Sequence, residues 1–363
     1  MKIVHLIARL NKGGTANWLR ILIEGTRANG IEVFLFAGHV GSNEQEDEAF
    51  ASLNARRLKS LGRNRSVFAD FKTILQFRKV LKQIKPDILN THTGKAGLIG
   101  RVAAVGLPIK VIHTFHGHLL YGYFSRITTK AIISIEKVLA YFTDSYIAVG
   151  NAVRDELIEV GIGNLEEFRV IHPGISDEPR MEKSDARRIF GLEKTGVVIG
   201  WLGRLTHIKR PDRLIEIAVS NPNVTFIAGG DGELMEILKS SAPENLKFLG
   251  WVNSGSFWSA CDIAILTSDN EGLPTSLVEA SFGNLPLIAS RVGSVEDIVS
   301  EGCNGFTFHT LIEAQEFIEV LCNNPEKRIQ MGQKSRELSL NEYGIDNFLE
   351  RHFKIYDELL RLN

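Results

Sequence analysis

Residues 266–297 read LTSDNEGLPTSLVEASFGNLPLIASRVGSVED, and this stretch decides how the chain around it folds. The apolar run at 262–267 predicts a buried strand, and the polar residues 268–270 predict a turn. A helical pattern starts at Pro274, which suits the first helical turn because its missing N–H is not needed there. Residues 285–289 predict the next strand. The stretch is therefore a strand, a glycine-containing loop, a helix and a strand, with an anion site expected where the helix begins.

Two glutamates, Glu271 and Glu279, lie in this loop and helix with seven residues between them. They could be the acid and base of a hydrolase. A helix rises ~1.5 Å per residue, so the two carboxyl groups are expected on the order of 10 Å apart. Retaining glycosidases need roughly 5 Å between their carboxylates, and inverting ones need room for a water. The spacing therefore favours two separate contacts along one extended ligand.

The composition excludes several classes of protein. The chain has 363 residues, 44% hydrophobic and 23% charged, as expected for a soluble globular protein of two domains. The net charge of -1 gives no global field that would attract nucleic acid. The three cysteines show no paired spacing, which favours a reducing compartment. The first apolar run is too short for a signal peptide and no run could span a bilayer, so a cytoplasmic location is expected.

The N-terminal half opens as doubly wound α/β domains do. Residues 2–8 and 31–37 predict strands on either side of a helix that has Thr15 as its N-cap. Gly13 and Gly14 lie in the loop before that helix, where either a tight turn or a close approach to a phosphate would explain them. The loop has neither the dinucleotide fingerprint nor a Walker A motif, so a dehydrogenase is not expected.

Polar side chains gather where later strands of this half end. Residues 91–97 (THTGKAG) follow one predicted strand, and the strand at 110–115 ends at His116. This edge is where ligands bind in open parallel sheets. Four histidines near it raise the question of a metal site: His92, His113, His116 and His118. No Asp, Glu or Cys with ligand-like spacing accompanies them, so neutral hydrogen bonding is expected and a metal is not.

Two segments of this half are candidates for membrane contact. Residues 56–65 (RRLKSLGRNR) are the most basic window in the chain. They could touch an anionic membrane surface or an acidic acceptor, or form a solvated loop and helix start. Residues 119–142 mix apolar and charged residues over a long helix, which is expected to pack on the core. A helix on the membrane surface is the alternative.

The strand and helix pattern restarts after Pro173-Gly174, and the polar residues 176–185 that follow complete the clearest domain boundary. Three more strands are predicted, at 197–202, 224–228 and 246–249. A glycine-containing loop follows each of them: GRLTHIKRP at 203–211, GGDG at 229–232 and GWV at 250–252. The chain is therefore predicted to be an α/β protein with two doubly wound halves joined by a linker.

These motifs together resemble those of a family 4 glycosyltransferase with the GT-B fold. The motifs follow the family's order along the chain: Gly13-Gly14, Thr114-Phe115-His116-Gly117, Pro173-Gly174-Ile175, Gly203-Arg204 with Lys209, Gly230-Asp231-Gly232, and Glu271-Gly272-Leu273-Pro274 with Glu279. The last block is the most specific of them. Residues 91–104 and 113–124 also resemble a bacterial branch that builds cell-surface polysaccharides.

The resemblance implies an architecture of two Rossmann-like domains facing across a cleft. Residues 1–172 would be the acceptor-side domain, and residues 173–344 would bind the nucleotide sugar. The amphipathic segment 345–363 would be a last helix that packs back on the first domain.

The resemblance also implies roles for single residues. Arg204 and Lys209 would stabilise the donor diphosphate, whose negative charge grows as the glycosidic bond breaks. Glu271 would lie at the donor sugar, and Glu279 would hold the ribose hydroxyls as a bidentate acceptor. His116 would hydrogen-bond the donor sugar from the facing domain.

Loop residues would complete the nucleotide-sugar site. They are Gly13, Gly14, Gly230, Asp231, Val252, Gly272, Leu273, Pro274 and Thr275. The glycine pair and the amides after Glu271 would close round the phosphates and the sugar, whereas Asp231 and Val252 would border the base.

The implied reaction is a retaining, metal-independent transfer without a cofactor. A hexosyl group would move from a nucleotide-diphosphate sugar, with UDP expected, to a glycan or lipid-linked saccharide. A lipid-linked acceptor implies peripheral contact with the inner face of the cytoplasmic membrane. Two alternatives stay open. A sugar-nucleotide epimerase would release UDP without an acceptor, and a non-catalytic subunit would be expected to lack the basic pair or Glu271, which are present.

Overall fold

The computed structural model describes residues 1–41, 45–59, 61, 67–117, 125–177 and 180–361. The chain divides into unit 1, which is Met1–Gly174 with Ile345–Asn363, and unit 2, which is Ile175–Gly344. The division falls two residues after the predicted boundary. The cause is a close contact between the Gly174 backbone and Phe348 of the last helix, where a Cβ added at Gly174 would lie 2.9 Å from Phe348 Cβ. The turn before unit 2 therefore packs on the C-terminal helix and stays in unit 1.

Unit 1 is built on one parallel sheet. Its described strands are β1 (Lys2–Ile7), β2 (Glu32–Ala37), β3 (Arg56–Arg57), β4 (Ile88–His92), β5 (Lys110–Phe115), β6 (Ser145–Ala148) and β7 (Phe168–Val170). Its helices are α1 (Gly14–Ala28), α2 (Ala49–Ser52), α3 (Val67–Ile84), α4 (Gly94–Ala104), α5 (Arg126–Ala140) and α6 (Asn151–Glu159). The strand order β3-β2-β1-β4-β5-β6-β7 reverses direction between β1 and β4. The loops after these two strands therefore flank a switch point of the sheet.

Unit 2 has a second parallel sheet. Its strands are β8 (Val198–Leu202), β9 (Thr225–Gly229), β10 (Leu246–Gly250), β11 (Ile263–Leu266), β12 (Leu287–Ser290) and β13 (Gly305–Phe308). Its helices are α7 (Lys183–Ile189), α8 (Pro211–Ser220), α9 (Met235–Ser241), α10 (Ser254–Ala260), α11 (Thr275–Phe282), α12 (Leu311–Asn323) and α13 (Pro325–Glu342). The order β10-β9-β8-β11-β12-β13 reverses between β8 and β11. The predicted class of two doubly wound, Rossmann-like α/β domains is confirmed.

The central strands are buried on both faces, which explains why their sequences are runs of apolar residues rather than alternating patterns. All four residues of β11 are buried, as are all five of β4. The two central strands of unit 1 also contain four fully buried polar residues, which are His5 of β1 and Asn90, Thr91 and His92 of β4. Such groups need partners, since burying an unpaired polar group is costly.

The last helix of the chain, α14 (Ile345–Arg361), belongs to unit 1. Its residues Phe348, Ile355 and Tyr356 join the apolar core beneath α1. The Phe348 ring packs edge-on against Trp18 of α1, with 5.2 Å between the ring centroids. The apolar stripe of α14 is therefore buried against unit 1.

Helix α5 does not pack on the core as predicted. Only Glu136 and Leu139 are buried, and the other side chains are partly or fully exposed. One buried ion pair fastens the helix, because Glu136 accepts a hydrogen bond of 2.7 Å from Arg101 of α4. The prediction was wrong because a helical period does not show which way an apolar stripe points. No helix within the described residues is long and apolar enough to cross a membrane.

Two helix starts also differ from the prediction. Gly13, not Thr15, is the N-cap of α1. Pro274 lies before α11 as its N-cap, with φ -74° and ψ 97°, so the first helical residue is Thr275. Because Pro274 has no N–H, the extended residue costs the loop no hydrogen bond.

Candidate functional site

The loops after β8 and β11 meet at the switch point of unit 2. Since these strands are neighbours, the carboxyl ends of both lie at the same edge of the sheet. The backbone N–H of Asp269 donates to the Ile208 carbonyl at 2.8 Å. The indole of Trp201 donates to the Thr267 hydroxyl at 2.9 Å, and this hydroxyl lies 3.1 Å from the carbonyl oxygen of Lys209. Buried polar groups therefore hold the two loops together.

An ion pair joins the two loops at the centre of this edge. Lys209 Nζ lies 2.6 Å from each carboxylate oxygen of Glu271. The Ser268 hydroxyl donates to Glu271 Oε1, also at 2.6 Å. Glu271 is only 8% exposed, whereas Lys209 is partly exposed. A buried carboxylate needs such partners, because removing it from water is otherwise expensive.

Arg204 differs from Lys209 in its surroundings. Its side chain is exposed, and its guanidinium makes no hydrogen bond or ion pair within the described part of the chain. Neither cation lies on α8, the helix that follows them. Arg204 instead lies in the loop after β8, and Lys209 ends the 3-10 turn His207–Lys209 before α8. The site thus holds one cation paired with a carboxylate and one that faces solvent.

The loop after β12 packs against the backbone of Glu271 and Gly272. A Cβ added at Gly293 would lie 1.8 Å from the Glu271 carbonyl oxygen, and Gly293 has a φ of 51°. The backbone N–H of Ser294 donates to the Gly272 carbonyl at 3.1 Å. Sequence reasoning missed Gly293 and Ser268. The signal available for Gly293 was a glycine shortly after a predicted strand.

The glycines after β9 support the loop that carries Arg204. Gly230 has a φ of 121°, and a Cβ there would lie 1.9 Å from the Gly203 carbonyl oxygen. The backbone N–H of Leu205 donates to the Asp231 carbonyl at 3.0 Å. The Asp231 side chain is exposed and accepts a hydrogen bond of 2.7 Å from the backbone N–H of Gly232. The two loops therefore pack backbone to backbone.

The remaining predicted residues of unit 2 lie on either side of these loops. Val252 covers Gly229, where a Cβ would lie 2.7 Å from Val252 Cγ2. Leu273 and Pro274 are buried, whereas Gly272, Thr275 and Glu279 are partly exposed, and Glu279 lies on α11.

The predicted residues of unit 1 lie at the carboxyl edge of its own sheet. Gly13 and Gly14 begin α1, and a Cβ at Gly13 would meet nothing within 4 Å. His116 follows β5, and its Nε2 lies 3.1 Å from His92 Nδ1. Burial lowers the pKa of His116 to about 3, and the nearby His352 adds to this effect. The ring is therefore neutral at physiological pH.

The three of these histidines that the structure describes, His92, His113 and His116, are not arranged as a set of metal ligands. His92 and His116 hydrogen-bond one another, and His113 Nδ1 lies 2.8 Å from the Thr91 hydroxyl. His118 lies outside the described residues. Among the residues that are described, no group of three or more His, Cys, Asp or Glu could hold a metal ion.

The start of the basic window at 56–65 is engaged by unit 1. Arg56 lies over the Phe34 ring at 5.0 Å, and Arg57 pairs with Glu46 at 2.9 Å. Residues 60 and 62–66 lie outside the described part of the chain. Two of the cations proposed for membrane contact therefore have partners within the fold.

The support that Gly230 gives to the Arg204 loop predicts an unequal effect of two alanine substitutions. Gly230→Ala should lower the free energy of unfolding by more than about 2 kcal/mol, because it adds a backbone clash to an unfavourable φ. Gly196→Ala is the control, since Gly196 has a φ of 93° but a Cβ there would meet nothing within 4 Å. It should cost only about 1 kcal/mol. Urea unfolding of both variants gives the comparison, and equal losses would contradict the packing described.

Comparisons with known proteins identify the family of the chain. Residues 12–179 match the family model Glycosyltransferase Family 4, and residues 182–338 match Glycosyl transferases group 1. The chain is 29% identical over 334 residues to the Escherichia coli UDP-Gal:alpha-D-GlcNAc-diphosphoundecaprenol alpha-1,3-galactosyltransferase, covering 85% of each chain. It is 31% identical over 234 residues to the O-antigen biosynthesis glycosyltransferase WbnH of Escherichia coli, covering 64% of this chain and 66% of that one.

A solved structure, that of Anabaena HepE in complex with UDP, has the same fold. The TM-score is 0.84 at 20% sequence identity, over 99% of this chain and 100% of that one. The two family models together cover most of both units. The chain therefore belongs to the family 4 glycosyltransferases.

Proposed function

We propose that this glycosyltransferase moves a hexosyl group from a UDP sugar to a glycan or a lipid-linked saccharide in cell-surface polysaccharide synthesis. The observation that carries the proposal is the meeting of the Arg204 loop with the Lys209–Glu271 pair at the switch point of unit 2. The names of two relatives support the pathway and the donor, since one uses UDP-Gal with a diphosphoundecaprenol acceptor and the other acts in O-antigen biosynthesis.

The charges of the site suit a sugar diphosphate. Arg204 is an exposed cation without a side-chain partner among the described residues, so it is available to the diphosphate. An ammonium has three N–H donors. Two N–H donors of the Lys209 ammonium point at Glu271, which leaves the third for a phosphate oxygen. Glu271 would thus hold the ammonium in place, while its remaining lone pairs accept hydroxyls of the donor sugar.

A front-side reaction fits this use of Glu271. In the proposed step the bond between C1 of the sugar and the phosphate oxygen breaks while the acceptor oxygen bonds C1 on the same face. The leaving phosphate takes the proton of the acceptor hydroxyl, so no protein nucleophile is required. Glu271 is held by an ammonium and a hydroxyl, which suits a positioning carboxylate better than a covalent nucleophile. Retention and independence from metal are parts of this proposal.

The other residues of the proposed site follow the family resemblance. Glu279 would hold the ribose, Asp231 and Val252 would border the base, and the amides at the start of α11 would contact the phosphates. His116 would donate to or accept from a substrate oxygen. Peripheral membrane contact at the inner face of the cytoplasmic membrane would give access to a lipid-linked acceptor.

A nucleotide panel tests the donor. Purified protein should be stabilised by UDP and not by GDP or ADP, because a ligand at 100 times its Kd adds about 2.7 kcal/mol to the free energy of unfolding. The measurement is a thermal shift at saturating nucleotide. UDP release from a UDP sugar should also require the lipid-linked saccharide. Release without an acceptor would indicate the epimerase, and the absence of any nucleotide shift would contradict the proposed function.

Arg204→Ala should reduce kcat/KM by at least about 100-fold, because the charge on the leaving diphosphate would lose its exposed cation. Arg188→Ala is the matched control, since Arg188 is an exposed arginine of unit 2 whose one ion pair among the described residues is with Asp185 along α7. Its turnover should equal that of the unmodified protein. The assay is steady-state UDP release with acceptor, and turnover of Arg204→Ala within about threefold of the control would place the phosphate elsewhere.

A further inference from the structure

Helices α3 and α5 present apolar side chains to solvent. Phe68 is 90% exposed, Ile127 is 82% exposed and Tyr141, which follows α5, is 88% exposed. The exposed residues Phe68, Phe71 and Leu75 are spaced three and four apart, so they form one stripe along α3. The residues Ile127, Val138 and Tyr141 form a similar stripe along α5. Side chains of this size on a monomer's surface indicate an interaction site.

The two stripes lie on the same side of the sheet. Helix α4 packs against both α3 and α5, which places the three helices in one layer. We define the α3–α5 surface by its exposed apolar and basic residues: Phe68, Phe71, Lys72, Leu75, Lys79, Lys82, Arg126, Ile127, Lys130, Lys137, Val138 and Tyr141.

The exposed charges on this surface all have one sign. Its six charged residues are five lysines and one arginine. The two carboxylates of these helices are already paired, Asp70 with Lys95 at 2.9 Å and Glu136 with Arg101 at 2.7 Å. Within the described residues of α3 and α5, no exposed carboxylate balances the lysines.

We infer that the α3–α5 surface docks on an anionic lipid bilayer. The aromatic and aliphatic side chains would enter the interface, while the lysines reach the headgroup phosphates along their aliphatic stems. A second copy of the chain does not fit, because a symmetric contact would bring the same cations face to face. The inference rests on the proposed function only in that a lipid-linked acceptor would be met at that surface.

Vesicle binding tests the surface without any substrate. The full chain should sediment with vesicles of phosphatidylglycerol and phosphatidylethanolamine, and not with phosphatidylcholine vesicles. The double variant Phe68→Ser/Phe71→Ser should bind at least tenfold more weakly. Ile312→Ser is the matched control, because Ile312 is an apolar residue of unit 2 with 68% exposure, and its binding should not change.

Three results would overturn this inference. They are failure to bind the anionic vesicles, equal binding by the double variant, and a dimer in solution that the double variant abolishes. The UDP thermal shift is measured separately in the same preparation. A protein that binds UDP but no vesicle contradicts the docking surface alone, and one that binds vesicles but no nucleotide contradicts the proposed function alone.

Discussion

Lys209 and Glu271 are 62 residues apart in sequence and meet because β8 and β11 are neighbours in the sheet. The meeting is a consequence of strand order, since only a sheet whose order reverses there brings these two loops together. Glu271 is also held by a hydrogen bond from the Ser268 hydroxyl and by the close packing of Gly293 against its carbonyl oxygen. Such an ion pair adds little to stability while it is intact. Removing one partner is costly, because the other would remain as an unpaired, buried or half-buried charge. This cost keeps Lys209 and Glu271 in contact, and a pair that stays in place can position a ligand.

The sequence predicted most of the fold, and it named the residues of a candidate site. Apolar runs bounded by glycine loops indicated parallel strands with helices between them, and Arg204, Lys209 and Glu271 were all assigned to the site. That Lys209 would be paired with Glu271 could not be predicted. A salt bridge between two loops depends on side-chain directions across a long-range contact, which sequence spacing does not encode.

The failures have physical causes of the same kind. The helical period of α5 indicated an apolar stripe but not that the stripe faces outward. The gathering of histidines after β4 and β5 was visible, yet His5 was not connected with them, because that contact crosses from β1 to β4 through the interior of the sheet. Glycines such as Gly293 were invisible as site residues, because their role is to have no side chain where another backbone passes.

The assignment of α14 to unit 1 means that unit 2 is inserted into the chain of unit 1. The core of unit 1 includes Phe348, Ile355 and Tyr356, together with residues of β1 and α1 from the other end of the chain. During synthesis the N-terminal part of unit 1 is made first, but it lacks this helix until unit 2 has been made. Unit 2 is continuous and can fold while it emerges. Domains usually fold in the order in which they are made, but here the core of unit 1 is completed only by residues that follow unit 2.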